Sequence, residues 1–462
     1  MNTYLFYDIE TTGLSKAFDQ VLHFAAIRTD HSLNELERHE IKIKLNPDVI
    51  PSPAAMITHH MGLKEIAEGM NELDGIKQIH HWLNLPGTIS LGYNTLRFDD
   101  EFLRFSFFRN LLPPYTHQYA NRCGRMDLYP MAVMYFLFKN TVLKWPIING
   151  KPSFKLADIS TENQLAEGRA HHAMVDVEAT LALARLLFKE REMWDYLIGY
   201  FNKEQDQARL RDLQNAPALM IDSIFGSEKC YQSPVLFLGT HQYYKNQLLW
   251  LRLDSEELTK ITPDTVSEAF VVHKKIGEPS FILPFKERFL THLSPERRAL
   301  SESNKQWLAE HPDIFSQLRT YHAGYQYPIY PETDVAASLY LNGFWNYAEE
   351  NFCRTFHISS HSQKAKLIEQ VQNPRLKMLA LRILGKHYPE MLTADQTEQF
   401  ADYMKKISSA DDNEILIDYQ GKKRLTPRTA LNEIEELRKN SKLTPTQLKL
   451  LDELEHYLQS FV

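Results

Sequence analysis

Three strand-like segments crowd the start of this chain: YLFYDIE, VLHFAAIRTD and HEIKIKL. Each is rich in β-branched and aromatic residues, the composition that fits a pleated, half-buried surface. A polar stretch with helical spacing follows, and then TISLGYN, which reads as a buried strand. Helical periodicity runs through DDEFLRFSFFRNL, DLYPMAVMYFLF and VDVEATLALARLLFKERE. Three adjacent strands followed by alternating helices and strands predict an α/β unit, a mixed sheet with helices packed on it.

At 462 residues the chain is too long for one ordinary domain. The charged stretch KEQDQARLRDL, at about 203–213, reads as a connecting helix. Beyond it SPVLFLGTH, NQLLWLRLD, EAFVVHKKI and PSFILPF predict a small β-rich, barrel-like region reaching about residue 340. From about 344 the pattern is helical to the end. The expected division is therefore 1–192, 193–343 (with the connecting helix) and 344–462. Hydrophobic residues make up 43% and charged residues 24%, as in a globular rather than a disordered chain. No apolar run is long enough to span a bilayer, the N-terminus lacks a basic leader, and the three cysteines are scattered. A cytoplasmic protein without membrane contact is expected. The net charge of −7 speaks against nucleic acid. Metal-binding carboxylates would add such charge, however, and a substrate groove needs only a local basic patch.

Three segments carry chemistry. In Asp8-Ile9-Glu10 the strand period of two puts both carboxylates on one face and Ile9 in the core. Paired carboxylates suit hard cations such as Mg²⁺, although an isolated pair is more often a solvated strand end. Asp99, in GYNTLRFDDE, stands where a helix begins, a position that equally suits a dipole-favouring acid. In HHAMVDVEAT, His171 and Asp176 would diverge by about 140° on one continuous helix. They converge only if His171 lies in the loop ahead of the helix. The His171-His172 pair raises zinc, but no third nitrogen or sulfur ligand lies at zinc spacing.

Taken together, Asp8, Glu10, Asp99 and Asp176, with His171 ahead of the last, resemble the DEDDh exonucleases over the first ~190 residues. FAAIRTD, ITHHMG, LGYNTLRFDDE, GKPSFKLADIS and HHAMVDVEAT are similar to the exonuclease I branch of that family. The resemblance implies a ribonuclease H-like nuclease domain, an SH3-like middle domain and a helical C-terminal domain. It implies two Mg²⁺ ions (Mn²⁺ as a substitute) on the four acids, with His171 as general base. The activity implied is 3′→5′ degradation of single-stranded DNA to 5′-mononucleotides, in DNA repair and recombination.

For strand contact, aromatic stacking beside basic residues is expected. The candidates are Glu10, Thr11, Thr58, Tyr93, Asn94, Arg104, Tyr115, Tyr119, Lys139, Phe154 and Lys155, with Arg97 as a further phosphate contact. Lys155 stands where Arg is expected, keeping the charge but not the bidentate geometry. The runs Lys274-Lys275, Lys405-Lys406, Lys422-Lys423-Arg424 and Arg297-Arg298 read mostly as solvated faces, one of them available to DNA or an acidic peptide. The branch implies a monomer at the nucleoid, recruited by the acidic C-terminal tail of single-stranded DNA-binding protein. An RNA 3′-end-trimming member of the family, or a non-catalytic 3′-end-binding module, are the alternatives.

Overall fold

The computed structural model describes residues 2–168, 171–341, 343–409, 411–439 and 442–461. Its first sheet contains β1 (Thr3–Thr11), β2 (Val21–Thr29), β3 (Glu35–Lys42), β4 (Thr88–Gly92) and β5 (Gly124–Asp127). The spatial order is β3-β2-β1-β4-β5; β1, β2 and β3 are antiparallel, while β4 lies parallel to both β1 and β5. The helices of this region are α1 (Pro53–His59), α2 (Leu63–Ala67), α3 (Glu72–Leu83), α4 (Asp99–Arg109), α5 (Leu128–Phe138), α6 (Leu156–Asn163) and α7 (Ala173–Leu187). This is the expected mixed sheet, with helices on both faces.

Alternation along β1 explains the layering. Tyr4 and Phe6 join the core beneath α5 and α7, whereas Leu5, Tyr7 and Ile9 pack with residues of α3 and α4. On α7, Ala173, Val177, Leu181 and Ala184 recur at three- and four-residue spacing and are buried against the sheet. Each fully buried Val or Leu of such a stripe contributes about 1.5–3 kcal/mol. Helix α4 is buried nearly all round because it serves two cores. Phe102, Leu103 and Phe107 face the sheet, while Phe105 and Phe108 pack with the C-terminal helices.

A second five-stranded sheet, wholly antiparallel, is built from Ala218–Ile221, Gln232–Thr240, Gln247–Arg252, Val271–Lys275 and Phe281–Pro284. The β-rich pattern expected to reach about residue 340 ends earlier. Helices Pro295–Glu310 and Pro312–Gly324 follow the last strand. The first is started by Ser294, whose side chain accepts the Arg297 amide, and by Pro295 in the first turn; its polar sequence hides the periodicity. Helices from Tyr347 to Gln459 complete the chain and share cores with α1 and α4. Among the described residues no helix is long and apolar enough to cross a membrane.

Candidate active site

The site lies where β1 emerges from the core. Asp8 and Glu10 fall on the α7 face of the strand because Tyr7 and Ile9 are committed to the opposite core. Asp176 enters from the first turn of α7. Carboxylate oxygens of Asp8, Glu10 and Asp176 all lie within 4.8 Å of one another. Asp99 reaches the same place from the start of α4, where its Oδ1 accepts the amide N–H of Ile9 at 3.2 Å. That bond ties the acid to β1 between the two strand carboxylates. Gly92 permits this approach, since a Cβ there would stand 2.5 Å from the carbonyl oxygen of Tyr7.

Burial, followed by the charges of Asp99, Glu10 and Asp176, drives the Asp8 carboxyl well above its ordinary value. Asp99 is pushed up to about 8, first by burial and then by Asp127 and Asp100, against the lowering effect of the Ile9 amide. Burial also raises Asp176, while His171 pulls it down. Hard oxygen donors crowded at this range fit divalent cations that take oxygen ligands.

His171 precedes α7 in an exposed turn, with φ of 62°, and its amide donates to Asp176 Oδ2 at 3.1 Å. The helix itself begins at Ala173. The break in helical geometry thus allows His171 and Asp176 to meet.

The next residue after Asp99 has the opposite environment. Asp100 is fully buried and accepts from Arg104 Nε at 2.8 Å and Arg125 Nη1 at 2.6 Å, with His117 Nε2 at 2.8 Å. Burial would raise this carboxyl, yet Arg104, Arg125 and His117 hold it well below the ordinary range.

The strand-contact candidates divide. Thr58, Asn94, Tyr119 and Lys155 are exposed, and Tyr119 keeps 65% of its surface. Thr58 donates to the Ala54 carbonyl at 2.7 Å. Thr11 is buried and donates to the Gly13 carbonyl at 2.7 Å. Tyr115 is half-buried, under the Arg104 guanidinium and edge-on to the exposed ring of Phe344. Lys139 pairs with Glu190 at 2.9 Å. Tyr93 donates its hydroxyl to the Phe154 carbonyl at 2.6 Å.

Two candidates need correction. Phe154 is a core residue, ringed by Tyr129, Phe136, Trp145 and Tyr231. Arg104 is buried and committed to Asp100. Arg97, also expected at phosphate, instead makes two bonds to Asp222 at 2.7 and 2.8 Å, joining the first sheet region to the second. Of the basic runs, Lys274 is buried against Asp206, and Arg424 is buried with Tyr403 and the Asp48 carbonyl. Asp127 was not singled out by sequence. It caps α5 through the Tyr129 amide and accepts the Asn94 and Leu96 amides, fixing the turn before Asp99. An acid at a strand-to-helix junction was its signal.

Two family models match the chain: an exonuclease model over residues 5–184 and an exonuclease I C-terminal domain model over 333–461. Exodeoxyribonuclease I of Escherichia coli (strain K12) is 27% identical over 431 residues, spanning 88% of this chain and 90% of that protein. The structure of E. coli exonuclease I in complex with a dA16 oligonucleotide superposes with a TM-score of 0.87 at 24% identity over 100% of both chains. A structure of SSB/exonuclease I in complex with an inhibitor gives 0.83 at 24%, again over 100% of both. The nuclease core and the C-terminal helices are thus matched in the same order within one chain, which belongs to the exonuclease I branch of the DEDDh exonuclease family.

Proposed function

We propose that this exonuclease removes 5′-mononucleotides from the 3′ end of single-stranded DNA. The observation that carries the reading is the convergence of Asp8, Glu10, Asp99 and Asp176 beside His171. The four acids would hold two divalent cations, Mg²⁺ or Mn²⁺. When bound, such ions supply Lewis acidity toward an attacking water and charge stabilisation for the leaving 3′-oxygen. His171 takes the proton from that water as general base. The Asp176 carboxylate holds the His171 turn through its amide bond. Ile9 orients Asp99, so strand and helix present their carboxylates as one unit.

Lys155 and the exposed ring of Tyr119 are the strand contacts with the most accessible surface, joined by Thr58, Asn94 and Tyr115. Glu10 and Thr11 border the terminal nucleotide. Segments 193–343, read as SH3-like, and 344–462 fold over the strand and make the path too narrow for duplex. The protein acts as a cytoplasmic monomer in DNA repair, and the acidic tail of single-stranded DNA-binding protein recruits it.

The test is degradation of end-labelled single-stranded DNA, blunt duplex and RNA. Single-stranded DNA should be consumed fastest. Equal rates on duplex would remove the narrow path, and preference for RNA would make the chain an RNA-trimming enzyme.

A further inference from the structure

Beside the carboxylate cluster the fold assembles a second group of metal-ligating side chains. One ring nitrogen each of His23 and His172 and a carboxylate oxygen of Glu40 lie within 4.8 Å of one another. They come from β2, the start of α7 and β3, so no spacing in the sequence announces them. The register explains the meeting. Glu10 pairs with His23 across β1 and β2, and Ala25 pairs with both Asp8 and Glu40, so all these side chains project from the α7 face. His172 then arrives as the residue immediately before α7.

The group has the features of a ligand set. His23 is 1% exposed and its Nε2 lies 2.8 Å from Glu40 Oε1, so a cation can take the place of a proton between them. The His172 ring stands edge-on to His23 at 5.2 Å between centroids. Its Nδ1 is buried with no hydrogen-bond partner among the described residues, a state that costs stability unless something occupies it. Glu40 keeps its outer edge in solvent, so an ion has an entry path. Two imidazoles and one carboxylate suit a borderline dication such as Zn²⁺, whereas the all-oxygen cluster beside it suits Mg²⁺.

We propose that His23, Glu40 and His172 form a transition-metal site, of which Zn²⁺ is the probe, separate from the Asp8 cluster. Three protein ligands leave one position open. Binding releases the proton shared by His23 and Glu40 and uses His172 to pin the turn that carries His171.

The test is equilibrium dialysis of the full chain against Zn²⁺ in excess Mg²⁺, with bound zinc counted by atomic absorption. His172→Asn and the milder Glu40→Gln should each hold one zinc fewer than the parent, while Asp8→Asn should hold the same number. With Co²⁺ as the probe, the parent should show the strong visible absorption of a four-coordinate site, and His172→Asn should lose it. An unchanged zinc count in His172→Asn, or loss of the zinc in Asp8→Asn alone, would assign all binding to the carboxylate cluster and overturn the proposal.

Discussion

Asp99 and Asp100 are neighbours on one helix, equally buried, and opposite in charge economy. Asp99 faces other acids and is raised to about 8, whereas Asp100 is enclosed by Arg104, Arg125 and His117 and held well below its ordinary value. The junction between the nuclease core and the C-terminal helices repeats the second pattern. Arg382 grips Asp334 through two bonds of 2.7 Å. Burial would raise Asp48, but Lys386 and Arg424 bring it down to about 2. The fold can therefore neutralise buried acids wherever it needs only stability. The raised carboxyls of Asp8 and Asp99, crowded with Glu10 and Asp176, set that cluster apart as a place for external cations.

The largest expected effect separates these two kinds of acid. Asp99→Asn, Asp8→Ala or Asp176→Ala should each lower kcat by roughly 10³-fold or more, the scale of removing a preorganised charge from an enclosed site. The fold and oligonucleotide binding should survive. His171→Ala should cost roughly 10²–10⁴-fold in kcat, while His172→Ala in Mg²⁺ alone should stay within a few-fold of the parent. If both histidines proved equally costly, the assignment of the base to His171 would fail.

Asp100→Asn inverts the pattern. Breaking a buried ion pair from one side costs about 3–5 kcal/mol, because Arg104 and Arg125 are left charged and buried. Calorimetry should show a clear fall in Tm, larger than any change caused by Asp99→Asn.

Protonation gives a finer separation. An acid whose pKa is higher in the folded state than in the unfolded one holds its proton more tightly when folded. Asp99, at about 8 against an ordinary 3.8, thus withdraws stability progressively as pH rises through that window. Asp100, shifted down, contributes stability above its ordinary value and loses it as pH falls through the depressed one. In chelator, Tm should decline between about pH 4 and about pH 8, and Asp99→Asn or saturating Mg²⁺ should flatten the slope. A flat profile in the metal-free parent would contradict the raised Asp99 carboxyl. The smallest effect is expected at the periphery: Lys155→Ala should weaken single-strand binding modestly and reduce its salt slope by about one.

Much of this was legible in the sequence because β1 imposes its own geometry. A period of two is enough to place Asp8 and Glu10 together, and the five-residue gap from His171 to Asp176 requires a turn before α7. Asp99 was visible as an acid at a helix start, but its link to the Ile9 amide depends on how α4 lies against β1. Phe154 and Arg104 misled because an aromatic or a guanidinium near a motif carries no mark of burial. The first packs among four other rings, and the second serves Asp100 from one helical turn away. Lys274 and Arg424 stand in basic runs, yet each finds its acid or carbonyl partner far along the chain. His23 and Glu40 were hidden for the same reason, since only strand register brings them to His172.

Catalysis requires cations held by the clustered carboxylates, so the most direct test is release of the 3′-terminal nucleotide from labelled single-stranded DNA, followed through removal and return of metal. Excess chelator should abolish release by the parent, Mg²⁺ or Mn²⁺ should restore it without added Zn²⁺, and Asp8→Ala should remain inactive throughout. Full-rate release in chelator, or by Asp8→Ala, would contradict it.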